Sequence, residues 1–201
     1  LASSGLEQEC VITTQGDAVS RRHSKLTIEL MKESGASVDI DKDSTTIAPW
    51  TSNPPTEWVV PPDGSMMAFP ILTCVLTKKA IQIQNPVDNV DALGHELLLE
   101  HLDAFGITLD CSTLNPLGEC KNVDINLRDA NDLLPPLAAI LALCGGGRLR
   151  GAAHAKHKES NRIQSTKRLL ESFGISSTIE EDGLSIEGGQ RLSKPEKLID
   201  T

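Results

Sequence analysis

Aromatic residues make up only 2% of the 201 positions, with no tyrosine, three phenylalanines and two tryptophans. So few rings argue against the stacking platforms on which single-stranded nucleic acid is held. Cations are also in the minority, with 19 Lys and Arg against 28 Asp and Glu and a formal net charge of −9. That balance argues against a general binder of nucleic acid or of an anionic membrane surface. Apolar runs are short: none approaches the roughly 20 residues of a membrane-spanning helix, and no signal-peptide pattern is evident. Cysteines are few, odd in number and widely spaced (Cys10, Cys74, Cys111, Cys120 and Cys144), with no Cys-x-x-Cys pair. This excludes a disulfide framework or a zinc finger and predicts reduced thiols in a cytoplasmic protein.

What is present is an ordinary globular balance, 39% hydrophobic and 23% charged, on a chain long enough for one large domain or two small ones. The chain begins at Leu1 without methionine, which predicts a piece of a longer polypeptide. Charge is unevenly spread. From Arg148 to Arg168 there are seven Lys and Arg and one acid, Glu159, a local +6 that also holds His154 and His157. A compact cationic stretch in an acidic chain points to a site for a small anion.

An internal repeat organises the sequence. A helical pattern that ends in glycine and leads into an alternating apolar stretch occurs at 26–35, 92–106 and 158–174. The closing residues Gly35, Gly106 and Gly174 lie about 70 residues apart, each placed to end a helix in the left-handed conformation. Short strand candidates precede each helix, at 11–14, 80–84 and 148–150. A second, wholly apolar helix type follows Asp63 (66–76) and Asp132 (133–143), and those aspartates are 69 residues apart. Aspartate is a natural helix cap, which is the bland role for both. The inferred unit is strand, amphipathic helix, strands, buried helix and strand, an α/β architecture. The Pro- and Ser-rich passage 51–62 is the candidate boundary between lobes.

The densest chemistry lies in RLRGAAHAKHKESNR, 148–162. A helix starting near His157 or Lys158 puts Lys158 and Arg162 four apart on one face, with Glu159 three from Arg162. Cations there oppose the helix dipole, whereas a bound anion gains both the dipole and free N–H groups. The competing reading is a solvated face with an ordinary Glu159–Arg162 surface pair worth about 0–1 kcal/mol.

The string GAAHAKHKESNRI (151–163) resembles the signature of the 3-phosphoshikimate 1-carboxyvinyltransferase (EPSP synthase) family, whose core is Lys-Glu-Ser/Thr-x-Arg. The segments DLLPPLAAILAL (132–143), DGSMMAFPILTCVL (63–76) and SRRHSKLTIELMKESG (20–35) resemble further stretches of that family, and the likeness runs from about residue 6 to 195. The family fold has two lobes, each of three βαββαβ units with helices inside and sheets outside. About three of the six units would be present: residues 1–61 as the last unit of the first lobe, 62–201 as the first two of the second.

The resemblance implies transfer of the enolpyruvyl group of phosphoenolpyruvate to the 5-hydroxyl of shikimate 3-phosphate, releasing phosphate. Such chemistry needs a base, an acid and several anion-binding cations. By the resemblance, Asp132 is the base at the hydroxyl, Lys158 contacts both substrates, and Glu159 serves the methylene carbon. Arg162 grips phosphoenolpyruvate, His154 lies near the shikimate ring, and Ser20 binds the shikimate phosphate with His23 beside it. For His23 and His157, polar surface residues are the simpler reading. Partners would be these small-molecule substrates, with no nucleic acid, membrane, metal or organic cofactor implied, and oligomeric state left open. The family's early Lys-Ser-x-x-x-Arg, Asn-x-Gly-Thr and Ser-Ser-Gln motifs, and its late Asp-His-Arg motif, are absent from these residues, so negligible turnover is expected of this chain alone. Alternatives are a UDP-N-acetylglucosamine enolpyruvyl transferase relative, or a non-catalytic anion-binding or assembly module of the same fold.

Overall fold

Three times along the chain a strand leads into a helix and returns as a β-hairpin. A computed structural model describes residues 2–16, 21–59, 63–84, 95–158, 160–196 and 199. The chain divides into two compact units, Leu1–Pro61 and Pro62–Thr201. In the first, β1 (Cys10–Thr13) is followed by α1 (Arg21–Glu33) and the hairpin β2 (Val38–Ile40) and β3 (Ser44–Ile47). The sheet order is β1-β3-β2, antiparallel throughout, with Cys10 opposite Ile47 and Val38 opposite the same residue on the other side. Its small core is Met31, Ala36, Val38, Ile47 and Trp50, and the Trp50 ring N–H donates to Ser3 Oγ at 3.1 Å.

The second unit holds two more copies. In one, β4 (Ile81–Gln82), α3 (His95–Glu100), β5 (Ile107–Asp110) and β6 (Thr113–Pro116) form a sheet of order β4-β6-β5. In the other, β8 (Gly146–Arg150), α5 (Arg162–Ser172), β9 (Ser177–Glu180) and β10 (Gly183–Glu187) are ordered β8-β10-β9, extended by β7 (Val123–Asn126) parallel to β8. The order is the same in all three sheets, so the 70-residue sequence period is a repeat of topology. Gly35, Gly106 and Gly174 all have positive φ (96°, 67° and 76°), the left-handed backbone that closes a helix and that a side chain disfavours.

Each copy in the second unit is preceded by a further helix, α2 (Ala68–Thr77) and α4 (Leu134–Leu143), each entered through a 3₁₀ turn, Gly64–Met67 and Asn131–Leu133. Helix α4 reads LPPLAAILAL, with two prolines in its first turn, where the N–H groups lack helical partners in any case. Its Leu134, Leu137, Ala138, Ile140, Leu141 and Ala142 are wholly buried, and it packs on α2, α5, β8 and β10. It is the central rod of the second unit. Helix α2 departs from the expectation of burial on every side. Ile71, Cys74 and Val75 face the core, but Phe69 and Leu76 are about half exposed, at 52% and 51%. Helix α5 is amphipathic, burying Ile163, Thr166 and Leu170 at the i, i+3, i+7 spacing of one helical face. Among the described residues no helix is long and apolar enough to cross a membrane.

Candidate active site

Strand β8 delivers the cationic stretch to one end of the four-stranded sheet. The chain leaves it at Gly151, whose N–H donates to Asp182 Oδ2 at 2.7 Å, and the next N–H, of Ala152, donates to the Asp182 carbonyl at 2.7 Å. These two bonds fix a 3₁₀ turn at Ala153–His157, pinned inward by buried Ala155. Helix α5 then starts at Arg162, later than the His157–Lys158 start expected from spacing. Asn161 decides this: its side-chain oxygen accepts from the Gln164 N–H at 3.2 Å, a capping bond that neither His157 nor Lys158 offers. Lys158 is in extended backbone (φ −79°, ψ −164°) and exposed, so it does not share a helical face with Arg162.

Asp132 and Asp63, alike in the sequence, differ in the structure. Asp63 Oδ1 accepts from the Ser65 N–H at 2.9 Å and from Ser65 Oγ at 2.7 Å, an ordinary cap. Asp132 caps neither element: it sits inside the Asn131–Leu133 turn, and the starts of that turn and of α4 have no side-chain cap. Its carboxylate, half exposed at 53%, pairs instead with Nη1 of Arg162, whose side chain is 25% exposed.

Asn131 joins these groups, and the sequence reading overlooked it. Only 2% exposed, it accepts from Arg162 Nη1 through Oδ1 at 3.1 Å, and its Nδ2 lies 2.7 Å from His154 Nε2. Asp132, Asn131, Arg162 and His154 therefore form one connected polar network between the start of α4, the turn after β8 and the start of α5. Lys158 lies close enough for its charge to act on His154. Glu159 and Ser20 fall outside the described residues. His23 and His157 are exposed, in keeping with surface roles.

Burial lowers the pKa of His154, Lys158 and Arg128 lower it further, and Asp129 opposes them. The ring is accordingly neutral at pH 7. Unfolding frees it to bind a proton at its ordinary value, so the unfolded state holds more protons over the interval below about 6.5. Stability from this group is full above that value and is lost as pH falls toward the folded-state pKa. The denaturant midpoint of the wild-type protein is expected to fall between pH 7 and 5 by more than that of His154→Gln; equal falls would contradict the assignment.

Chemically the network offers a guanidinium fork, a neutral imidazole, a carboxylate and a nearby ammonium, a set suited to binding an oxyanion and moving a proton beside it. Two clefts, of about 420 and 460 Å³, lie elsewhere: one against α1 and the β2–β3 hairpin, the other beside Glu171 and Lys194. The buried cysteines are poor nucleophiles. Burial pushes the Cys74 thiol up, and burial with the neighbouring Cys120 thiol pushes Cys144, whose S–H donates to the Phe105 carbonyl, up to about 12.

The family model for EPSP synthase (3-phosphoshikimate 1-carboxyvinyltransferase) matches residues 1–198. A 3-phosphoshikimate 1-carboxyvinyltransferase of Methanocorpusculum labreanum is 31% identical over 178 residues, covering 87% of this chain and 42% of the relative. Another, from Methanocella arvoryzae, is 25% identical over 191 residues, covering 92% of this chain and 44% of the relative. Among solved structures, an EPSP synthase from Acinetobacter baumannii superposes with a TM-score of 0.70 at 23% identity, over 94% of this chain and 45% of that one. The chain thus spans a little under half the length of the proteins it matches.

Proposed function

The chain belongs to the EPSP synthase family, and on that premise we propose that it contributes part of the active site of an enzyme transferring the enolpyruvyl group of phosphoenolpyruvate to the 5-hydroxyl of shikimate 3-phosphate, with release of phosphate. The observation that carries this reading is the single network of Asp132, Asn131, Arg162 and His154, close to Lys158. Within it Arg162 binds the phosphate or carboxylate of phosphoenolpyruvate, for which a planar fork is suited. Arriving substrate competes with Asp132 for that guanidinium, and displacement frees the carboxylate to take the proton of the attacking hydroxyl. Lys158 neutralises charge on both substrates, Glu159 delivers and removes the proton at the methylene carbon, His154 contacts the shikimate ring, and Ser20 holds its phosphate.

The three repeats support assigning residues 1–61 to the last unit of a first lobe and 62–201 to the first two units of a second. The odd, unpaired cysteines favour a cytoplasmic setting. A phosphate-release assay with both substrates tests the proposal. The full-length protein carrying these residues is expected to turn over at roughly 1–10³ per second, and this chain alone negligibly. A full-length protein that binds both substrates yet releases no phosphate would overturn the assignment.

A further inference from the structure

We propose that Asn131 is a positioning residue of this site, its single buried amide both orienting the Arg162 fork and fixing His154 as the tautomer protonated at Nδ1. The proposal rests on the functional reading above for the identity of the bound anion, but its geometry stands by itself. Arg162 cannot give up its proton, so the Asn131 oxygen, not the nitrogen, must face Nη1 at 3.1 Å. That settles the amide orientation and turns Nδ2 toward His154 Nε2, at 2.7 Å. Two donors cannot meet at that distance. Nε2 therefore carries the lone pair, and the ring's one hydrogen is on Nδ1, leaving Nδ1–H as the only donor His154 can present.

The surroundings reinforce this arrangement. Lys158 and Arg128 face His154 with positive charge, Asp129 with negative, and the ring is partly buried beside a side chain that is itself only 2% exposed. An imidazolium would lose the Asn131 bond as well as meet those cations. On the other side, Asn131 and Asp132 are consecutive residues that both receive Nη1, so the guanidinium is gripped at one nitrogen by the entrance of α4. One amide thereby couples the group that receives an anion to the ring that donates beside it. A residue of that kind changes what the site recognises without touching substrate.

The experiment uses the full-length protein labelled with ¹⁵N-histidine, with His154 assigned by loss of its signals in His154→Gln. Two-bond ¹H–¹⁵N spectra at neutral pH read the tautomer directly, and phosphoenolpyruvate affinity is measured by calorimetry on the same samples. Wild type is expected to show Nδ1–H. Asn131→Leu removes both bonds and is expected to release the ring to an Nε2–H-containing mixture and to weaken phosphoenolpyruvate about tenfold or more. Asn131→Asp, the variant to use if the leucine form does not fold, keeps an acceptor for Arg162 but gives His154 an acceptor too. Its ring is expected to protonate at Nε2 and titrate about one pH unit higher. An unchanged tautomer and titration, or a changed ring with unchanged affinity, would overturn the proposal. Wild-type protein that binds no phosphoenolpyruvate would overturn the functional reading instead, while the tautomer shift would still decide whether Asn131 holds His154.

Discussion

Arg162→Ala in the full-length protein is expected to weaken phosphoenolpyruvate binding by ~2–5 kcal/mol, about 30-fold to several thousand-fold. The size follows from where the side chain sits. At 25% exposure it is a largely desolvated cation at the first turn of α5, and it is the shared partner of Asp132 and Asn131. Truncation removes the fork that receives the anion and leaves the Asp132 carboxylate facing the incoming phosphate, so repulsion replaces attraction. Part of any loss could come from destabilisation, because the buried Asn131 oxygen forfeits its donor at a cost of about 1–3 kcal/mol. Two measurements separate the effects. Thermal unfolding reports the stability term, and Arg162→Lys keeps the charge without the bidentate geometry, so it should bind more weakly than wild type and better than alanine. Calorimetric affinity of Arg162→Ala within about twofold of wild type would return Arg162 to the role of a surface ion pair.

Leu137→Ala is expected to cost ~2–5 kcal/mol of folding stability with no direct effect on the chemistry. Leu137 is fully buried in the middle of α4, the rod against which α2, α5, β8 and β10 all pack. Its loss opens a cavity that four neighbours would have to close together, and a core packed at crystal density relaxes only in part. Since domains of this size are stable by roughly 5–15 kcal/mol, one such change removes a large fraction. Urea unfolding followed by circular dichroism gives the value; a cost below about 1 kcal/mol would mean that α4 is not the centre of the core. Phe69→Ala on α2, half exposed, supplies the contrast and should cost less.

Much of the fold was legible because it is encoded locally. Apolar spacing marked the helices, and each terminal glycine marked a left-handed residue that the structure shows at Gly35, Gly106 and Gly174. A repeat of those local signals is enough to announce a repeat of strand, helix and hairpin. The order of strands within each sheet was not legible, since pairing joins residues far apart in the chain. Nor was the exposed side of α2, because composition alone does not say which flanks of an apolar helix are covered. The start of α5 was misplaced for a local reason: a cationic run looked like the first helical turn until Asn161 took the cap.

The candidate site divides along the same line. The cationic run sufficed to nominate Lys158 and Arg162, because an oxyanion needs cations, whereas Asp132 and His154 were nominated by the resemblance of their segments to the family's motifs; both signals can be read from a string. Their arrangement could not be. Asp63 and Asp132 stand 69 residues apart in the same phase of the repeat, each before an apolar helix. Ser65 supplies local donors and keeps Asp63 as a cap. The corresponding position after Asp132 is Leu134, whose side chain has no donor and whose N–H is already given to the Asn131 carbonyl. The Asp132 carboxylate therefore turns outward to Arg162, and Asn131 beside it reaches both Arg162 and His154, residues 31 and 23 positions further along the chain. Local sequence set the chemical types and the helical frame; only packing across that distance, by pressing the entrances of α4 and α5 together, made a network of them.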